Sequence, residues 1–231
     1  MRLKYFINQK NFFFVFLSLF ITFTFGCQKD LINKSLSVCE SIKVPCYGDK
    51  LIVRIETNKG IILVELNGNS APITVGNFID LVNRGVYENT SFHRVINKPI
   101  PFIVQGGDPL TSSLRSPLSD YGTGGFIDPD KGQTRYIPLE IKLSNEEKPR
   151  YNEIISQADD LSDIDLRHNR GSFAMARSKK LNSASSQFYI ALKALPELDG
   201  RYSVFGKIIE GIEILDLINE GDLILKAIVL D

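Results

Sequence analysis

The stretch "TSFHRVINKPIPFIVQGGDP", Thr90–Pro109, combines strand-forming apolar residues with a histidine, an arginine, a glutamine and a Gly-Gly-Asp turn. Successive side chains of a strand point to opposite faces. Arg94 therefore lies on one face of the first run and His93 on the other, while Ile103 and Gln105 share a face of the second run. The stretch predicts two short strands with polar side chains. These side chains are either functional or only incidental to a buried strand pair.

Further strand signals flank this stretch. "LIVRIE" (51–56) and "IILVEL" (61–66) are joined by Thr57–Gly60, a composition typical of a hairpin turn. Strand signals return in four later runs: "GSFAMAR" (171–177), "SQFYIAL" (186–192), "YSVFGKII" (202–209) and "LILKAIVL" (223–230). About eight short strands separated by turns predict a mainly β fold, a closed eight-stranded antiparallel barrel, because closure removes exposed edges.

Two helices are expected alongside these strands. Apolar residues recur at helical spacing in 69–85, where Ser70 is the expected N-cap, Pro72 lies in the first turn and Gly85 ends the helix. A second amphipathic helix is expected over 212–218. The polar region 109–170 reads mostly as a surface loop with one short helix. No internal repeat or compositional linker divides residues 50–231, so we predict one domain with a long insert at about 109–170.

The first residues have the pattern of an export signal. Arg2, Lys4 and Lys10 precede the apolar run "NFFFVFLSLFITFTFG" (11–26), which is shorter than the roughly 20 apolar residues of a membrane span. The run ends before Cys27, so residues 1–26 resemble a bacterial lipoprotein signal peptide, with Cys27 as the lipidated residue and 27–49 as a polar tether. An ordinary cleaved signal or an uncleaved anchor is the alternative.

The net charge, the cysteines and the acidic residues limit which other functions and sites the sequence can have. The 27 basic and 27 acidic side chains cancel, which gives no support for nucleic-acid binding. Cys39 and Cys46 could form a disulfide in an oxidising envelope, or remain free thiols. Acidic residues cluster at 159–165, but their spacing lacks the glycine and terminal glutamate of an EF-hand. We therefore expect a solvated loop there, and no metal.

Six blocks in register resemble the cyclophilins, a family of peptidyl-prolyl cis-trans isomerases with an eight-stranded barrel and two helices. They are "FHRV" (92–95), "FIVQGGDP" (102–109), "GTGG" (122–125), "FAMAR" (173–177), "SQFYI" (186–190) and "LDGRYSVFGKIIEG" (198–211). The resemblance covers roughly residues 51–231. It implies isomerisation of X–Pro bonds without a cofactor. Together with the lipoprotein-like signal peptide, this predicts a bacterial envelope protein, held at the membrane by its lipid, that acts on exported proteins. We expect a monomer whose partners are proline-containing polypeptides.

The resemblance also implies roles for individual residues. Arg94 would be the catalytic residue, because arginine stays charged and presents several donors in a fixed fork. His93 would be structural, since this reaction moves no proton. The implied substrate-binding residues are Phe102, Ile103, Gln105, Ala176, Arg177, Gln187, Tyr189, Leu198 and Tyr202.

Some positions depart from the best-known eukaryotic pattern. Tyr189 replaces a pocket phenylalanine, and we expect its hydroxyl to narrow the proline slot. Arg177 replaces an asparagine, and Tyr202 a histidine. Glu197 stands in place of a tryptophan that helps to bind cyclosporin, which predicts weak binding of that drug. A non-catalytic module that binds proline peptides or surface partners is the alternative function.

Overall fold

The computed structural model describes residues 39–40, 43–112 and 116–230. The predicted signal peptide (1–26), the predicted lipidation site Cys27 and the predicted tether as far as residue 38 lie outside the described residues. Cys39 and Cys46 are both disulfide-bonded, which settles the state of the two thiols. Within the described ranges, no helix has the length and apolar character needed to cross a membrane.

The chain divides into two units, Met1–Ser41 and Ile42–Asp231, and the strands lie in the second. The strands of this unit are β1 (Lys50–Thr57), β2 (Gly60–Asn67), β3 (Thr90–Ser91), β4 (Arg94–Ile96), β5 (Ile103–Gly106), β6 (Ile127–Asp128), β7 (Gln133–Thr134), β8 (Glu140–Ile141), β9 (Arg150–Tyr151), β10 (Ser172–Met175), β11 (Phe188–Ala191), β12 (Val204–Glu210) and β13 (Leu223–Leu230). Its α-helices are α1 (Pro72–Asn83) and α2 (Ala158–Ser162). The described residues also form four 3-10 helices: Pro109–Ser112, Leu118–Asp120, Pro196–Leu198 and Ile212–Asp216.

Nine strands form one antiparallel sheet in the order β3-β13-β1-β2-β12-β10-β11-β5-β4. Its two end strands, β3 and β4, are separated by only two residues of chain, Phe92 and His93. Two such residues span roughly 10 Å at most, so the sheet must curl until its ends are neighbours. The mainly β prediction with an antiparallel, barrel-like sheet is confirmed.

The sheet has nine strands where eight were predicted, because the run around Arg94 changes partners. Phe92 pairs with the turn that precedes β13: its N–H donates to the Asp222 carbonyl (2.8 Å), and its carbonyl accepts from Gly221 (2.9 Å). Two residues later the chain pairs with β5 instead, with Arg94 opposite Gln105. The strand predicted around Phe92–Ile96 is therefore shortened to β4, and β3 is an additional strand just before it.

An aromatic cluster packs α1 against the inner face of the sheet. The Phe78 ring of α1 lies 5.6 Å from Phe173, 5.7 Å from Phe188 and 5.3 Å from Phe205, on β10, β11 and β12. All four rings are buried. Each buried phenylalanine contributes roughly 1.5–3 kcal/mol, and edge-to-face ring pairs add to this. This packing fixes β10 and β11. Tyr189 lies on β11, and Ala176, Arg177 and Gln187 directly adjoin the ends of the two strands.

The start of α1 differs from the prediction. The N-cap position is Ala71, without a side-chain cap, so Ser70 is not the N-cap. The Ser70 hydroxyl instead donates to Asp165 (2.5 Å). The other end agrees with the prediction, since Gly85 follows the helix with a φ of +68° that favours glycine. The second helix, predicted over 212–218, is a short 3-10 helix, Ile212–Asp216, that ends two residues earlier than expected.

Most of the described residues of 109–170 lie outside helices and strands, as predicted, but the region is not a plain surface loop. The insert forms two small sheets, β6–β7 and β8–β9, and the predicted short helix is α2. It also has a hydrophobic cluster of its own: Leu139, Ile141, Leu143, Ile155 and Ile164, all buried. Apolar residues spaced two apart in 137–143 carry this signal, but the surrounding polar residues conceal it.

Candidate active site

Arg94 stands on β4, exposed at the edge of a groove lined by residues of β4, β5 and β11 and by the segment that follows β10. Its Nη1 donates to Gln105 Oε1 (3.3 Å), the residue opposite it in the β4–β5 pairing. Gln105 Nε2 donates to Gln187 Oε1 (3.0 Å), and Gln187 Nε2 donates to the Gly124 carbonyl (2.7 Å). These bonds run from the guanidinium to the glycine loop and restrict the orientation of both amides and of Arg94.

An apolar cavity opens beside Arg94. Nine of the ten predicted site residues line it: Arg94, Phe102, Ile103, Gln105, Ala176, Arg177, Tyr189, Leu198 and Tyr202. Its floor is continuous with the buried cluster that contains Ile103 and Tyr189, against which Phe102 and Leu198 pack. The strands supply this floor because residues 103 and 105 share a face, as alternation predicted. The cavity has the apolar walls that a pyrrolidine ring requires.

A second, polar cavity adjoins the first, and the tenth predicted residue, Gln187, lines it. Gln105, Ala176 and Arg177 line both cavities. The remaining walls are the loop 122–125 and hydroxyl-bearing side chains from the insert and from the β10–β11 connection: Thr134, Tyr136, Ser178, Ser183 and Ser185. An extended peptide with its proline in the apolar cavity could place neighbouring residues here.

Asp108 fixes the glycine loop that borders this second cavity. It is fully buried; its Oδ2 accepts from Gly122 (2.6 Å) and Gly124 (3.1 Å), and its Oδ1 accepts from Leu110 (2.9 Å). The Gly106-Gly107-Asp108 segment is therefore more than the end of a strand. The sequence analysis did not predict this role. The available signal was an aspartate, a short side chain that accepts hydrogen bonds, directly after two glycines.

Arg177 lies between the two cavities and is already held by the protein. Its Nε and Nη2 donate to the Arg201 carbonyl (3.1 and 2.6 Å), and its Nη1 donates to the Ser178 carbonyl (2.9 Å). Its guanidinium also lies 4.7 Å from the centre of the Tyr202 ring, a cation–π contact. Three of the five N–H donors of an arginine are thus used, which leaves two for a ligand.

The Tyr189 hydroxyl does not point into the slot, contrary to the prediction. It lies 2.8 Å from His168 Nε2, on the buried side of the pocket. His168 Nδ1 in turn lies 2.8 Å from Asp199 Oδ1. His168 and Asp199 went unrecognised as neighbours of the site, because 31 residues separate them and neither lines the cavity.

His93 lines neither cavity. Burial lowers the pKa of its imidazole, despite the opposing effect of Asp108. Its ring packs near Gly122, where an added Cβ would lie 3.3 Å from His93 Cδ2. This placement agrees with a structural residue. Among the described residues, no three His, Cys, Asp or Glu side chains are grouped as a metal site.

Residues 52–228 match the family of cyclophilin type peptidyl-prolyl cis-trans isomerases/CLD. A Synechocystis protein named for a thylakoid lumen peptidyl-prolyl cis-trans isomerase is 36% identical over 198 residues, covering 81% of this chain and 49% of that protein. The chain thus spans about half the length of this relative. A Helicobacter pylori peptidyl-prolyl cis-trans isomerase is 36% identical over 172 residues, covering 74% of this chain and 81% of the relative.

Solved structures are similar as well. The crystal structure of a Cryptosporidium parvum cyclophilin type peptidyl-prolyl cis-trans isomerase is 30% identical, with a TM-score of 0.55, over 79% of this chain and 98% of that one. A structure of the same protein in the presence of the dipeptide Ala-Pro has a TM-score of 0.54, is also 30% identical and covers 78% of this chain and 99% of its own.

Proposed function

We propose that this chain, which belongs to the cyclophilin-type peptidyl-prolyl cis-trans isomerase family, accelerates the cis–trans isomerisation of X–Pro bonds in polypeptides. The observation that carries the proposal is the position of Arg94 at the edge of the apolar cavity. The Ala-Pro dipeptide used with the Cryptosporidium parvum relative supports proline-containing peptides as the ligand class.

The chemistry requires no nucleophile and no proton transfer. Amide resonance gives the C–N bond its rotational barrier of about 18–20 kcal/mol. As the bond twists, resonance is lost and the prolyl nitrogen regains its lone pair. A guanidinium N–H beside that nitrogen interacts with the twisted state more strongly than with the planar state, and only such differential binding accelerates the reaction. Arg94 can supply this donor while the apolar walls hold the ring.

The remaining predicted residues have supporting roles in this proposal. Phe102, Ile103, Tyr189, Leu198 and Tyr202 form the proline pocket, while Gln105, Ala176, Arg177 and Gln187 bind the backbone on either side. Gln105 also directs Arg94 through its Oε1, since that acceptor lies 3.3 Å from Nη1. In this proposal the Arg94 guanidinium lowers the barrier, while the pocket walls hold the proline ring in place.

The test is a protease-coupled isomerisation assay on a proline peptide. We expect Arg94→Ala to lower kcat/KM by about 100- to 1,000-fold, the loss typical of removing one transition-state donor. Arg54→Ala is the matched control, because Arg54 is on β1 and lines neither cavity. A wild-type rate no higher than the uncatalysed rate would reject the enzyme and favour a non-catalytic module that binds proline peptides. Equally accelerated rates for wild type and Arg94→Ala would instead reject Arg94 as the catalytic residue.

We also propose that the isomerase domain comprises residues 50–231, acts as a monomer and is exported to a bacterial cell envelope. Disulfide-bonded Cys39 and Cys46 support an oxidising compartment, and the lumenal name of the Synechocystis relative supports export. Lipid on Cys27 would anchor the domain to a membrane. Metabolic labelling with palmitate tests this: we expect label in the wild type, none in Cys27→Ser, and unchanged isomerase activity in both.

A further inference from the structure

A buried polar chain runs behind the wall of the proline pocket. Tyr189, whose ring lines the cavity, is 4% exposed, and its hydroxyl lies 2.8 Å from His168 Nε2. His168 is 2% exposed, and its Nδ1 lies 2.8 Å from Asp199 Oδ1. The same Asp199 oxygen accepts from the His168 backbone N–H (2.8 Å). The pocket wall is thus connected through one hydroxyl to two buried side chains.

The chemistry of these groups sets the direction of the hydrogen bonds. A carboxylate only accepts, so Asp199 requires the proton of the imidazole to be on Nδ1. Nε2 of His168 then presents a lone pair, which accepts the proton of the Tyr189 hydroxyl. Burial lowers the pKa of His168 and raises the pKa of Tyr189, so both groups are neutral near pH 7. Every polar atom along the chain has a complementary partner.

The hydrogen bonds from Tyr189 through His168 to Asp199 determine how the wall of the pocket is held. The Tyr189 ring is nearly parallel to the His168 ring (8°, centroids 5.9 Å apart). The Tyr202 ring meets Tyr189 edge-on (87°, 5.7 Å), and the Arg177 guanidinium rests on Tyr202. The position of Tyr189 therefore affects both the apolar cavity and the cation beside it.

We propose that His168 and Asp199 are positioning residues for the proline pocket, which act by fixing the Tyr189 ring through its hydroxyl. The inference rests on the proposed isomerase function. A wall that is fixed before the substrate arrives lowers the ordering cost of binding. Planar and twisted prolyl amides contact the same wall, so its loss weakens the two states alike. KM then rises while kcat changes little.

The first experiment compares two tyrosine-to-phenylalanine variants. Tyr189→Phe keeps the ring and removes the bond to His168. Tyr87→Phe is the control: this tyrosine is equally buried and bonds the Ser186 carbonyl (3.1 Å), but it lies in the main core and lines neither cavity. We expect both variants to lose thermal stability. Only Tyr189→Phe should raise KM, by about 3- to 10-fold, the equivalent of one hydrogen bond, with kcat within about twofold.

The second experiment asks whether Asp199 acts through Tyr189. Asp199→Asn keeps an oxygen acceptor for His168 and should keep KM near the wild-type value. Asp199→Ala should raise KM as Tyr189→Phe does. The double variant Asp199→Ala/Tyr189→Phe should raise it no further, because both changes break one chain. The imidazole nitrogen shifts of His168 in NMR should show a protonated Nδ1 in the wild type and a changed tautomer balance in Asp199→Ala.

An unchanged KM in Tyr189→Phe would overturn the proposal, and so would an equal rise in Tyr87→Phe, which would indicate a general loss of rigidity. A multiplicative rise in the double variant would also contradict it. Failure of the isomerase function is distinguishable, because peptide affinity can be measured by NMR titration without turnover. If the wild type binds a proline peptide but does not isomerise it, the same comparisons of Kd test the positioning role.

Discussion

The carboxyl group of Glu140 joins the insert to the start of α1, and it gives the sharpest prediction for stability. Glu140 lies on β8 and is 1% exposed. It accepts from the backbone N–H groups of Ile73 (3.0 Å) and Thr74 (2.6 Å) and from the Thr74 hydroxyl (2.5 Å). The helix has no side-chain cap at its N-cap residue, so Glu140 satisfies donors that the first turn leaves free.

Burial raises the pKa of Glu140 from its ordinary value of 4.5 to about 7, against the opposing effect of these hydrogen bonds. The native state therefore holds the proton more tightly than the unfolded chain. A raised pKa of this kind contributes stability that is fully present below about pH 4.5 and is lost as the pH rises through about 7. The difference between the ordinary and the native pKa of Glu140 corresponds to at most about 3 kcal/mol of stability.

The assay is urea unfolding of the wild type and Glu140→Gln between pH 4 and pH 8. The wild-type free energy of unfolding, minus that of the variant, should fall by up to about 3 kcal/mol as the pH rises from about 4.5 to about 7.5. His93 and His168, whose pKa values burial lowers, weaken both proteins below about pH 6.5 and cancel in this difference.

Glu146→Gln serves as the control for this experiment, because Glu146 is a partly exposed partner of Arg150 on the same insert. It should not reproduce the pH-dependent difference. A flat difference for Glu140→Gln would refute the reasoning, since it would mean that the native and unfolded states bind the Glu140 proton equally.

Three further predictions concern the groove. Gly124→Ala should lower kcat/KM by about tenfold or more, because the new Cβ would collide with Asp108 Oδ1 and lie 2.8 Å from Leu110 Cγ; an isomerase assay checks this. Arg94 and Arg177 are the charged residues lining the two cavities, so peptides with glutamate before Ala-Pro should bind more tightly than lysine analogues, and the difference should shrink with salt. With exposed Glu197 near the pocket, cyclosporin should fail to inhibit at nanomolar concentration in a dose–response assay.

Alternation and turn composition were sufficient to predict the strands that build the site. They placed residues 103 and 105 on one face and His93 away from Arg94, as the structure has them. The six sequence blocks brought ten candidate residues together, and nine of them share one cavity while Gln187 lines the next. Local periodicity works here because a strand fixes the direction of each side chain relative to its neighbours.

Contacts between distant residues could not be predicted in the same way. Glu140 meets Ile73 across 67 residues, and the Tyr189 hydroxyl meets His168 across 21. Whether a tyrosine hydroxyl enters a pocket or the core depends on which buried acceptor the fold places behind it. The hydrophobic cluster of the insert could not be predicted for a related reason: its apolar residues form a small core only when two short sheets bring them together.

The central claim is that Arg94 catalyses rotation of the prolyl bond, rather than only binding the peptide. Exchange NMR on an X–Pro peptide measures this directly, since cis and trans forms give separate signals whose interconversion can be timed. We expect rapid exchange with the wild-type protein, and exchange slowed by about 100-fold or more with Arg94→Ala at a similar peptide Kd. Equal exchange rates for the two proteins at saturating peptide would contradict it.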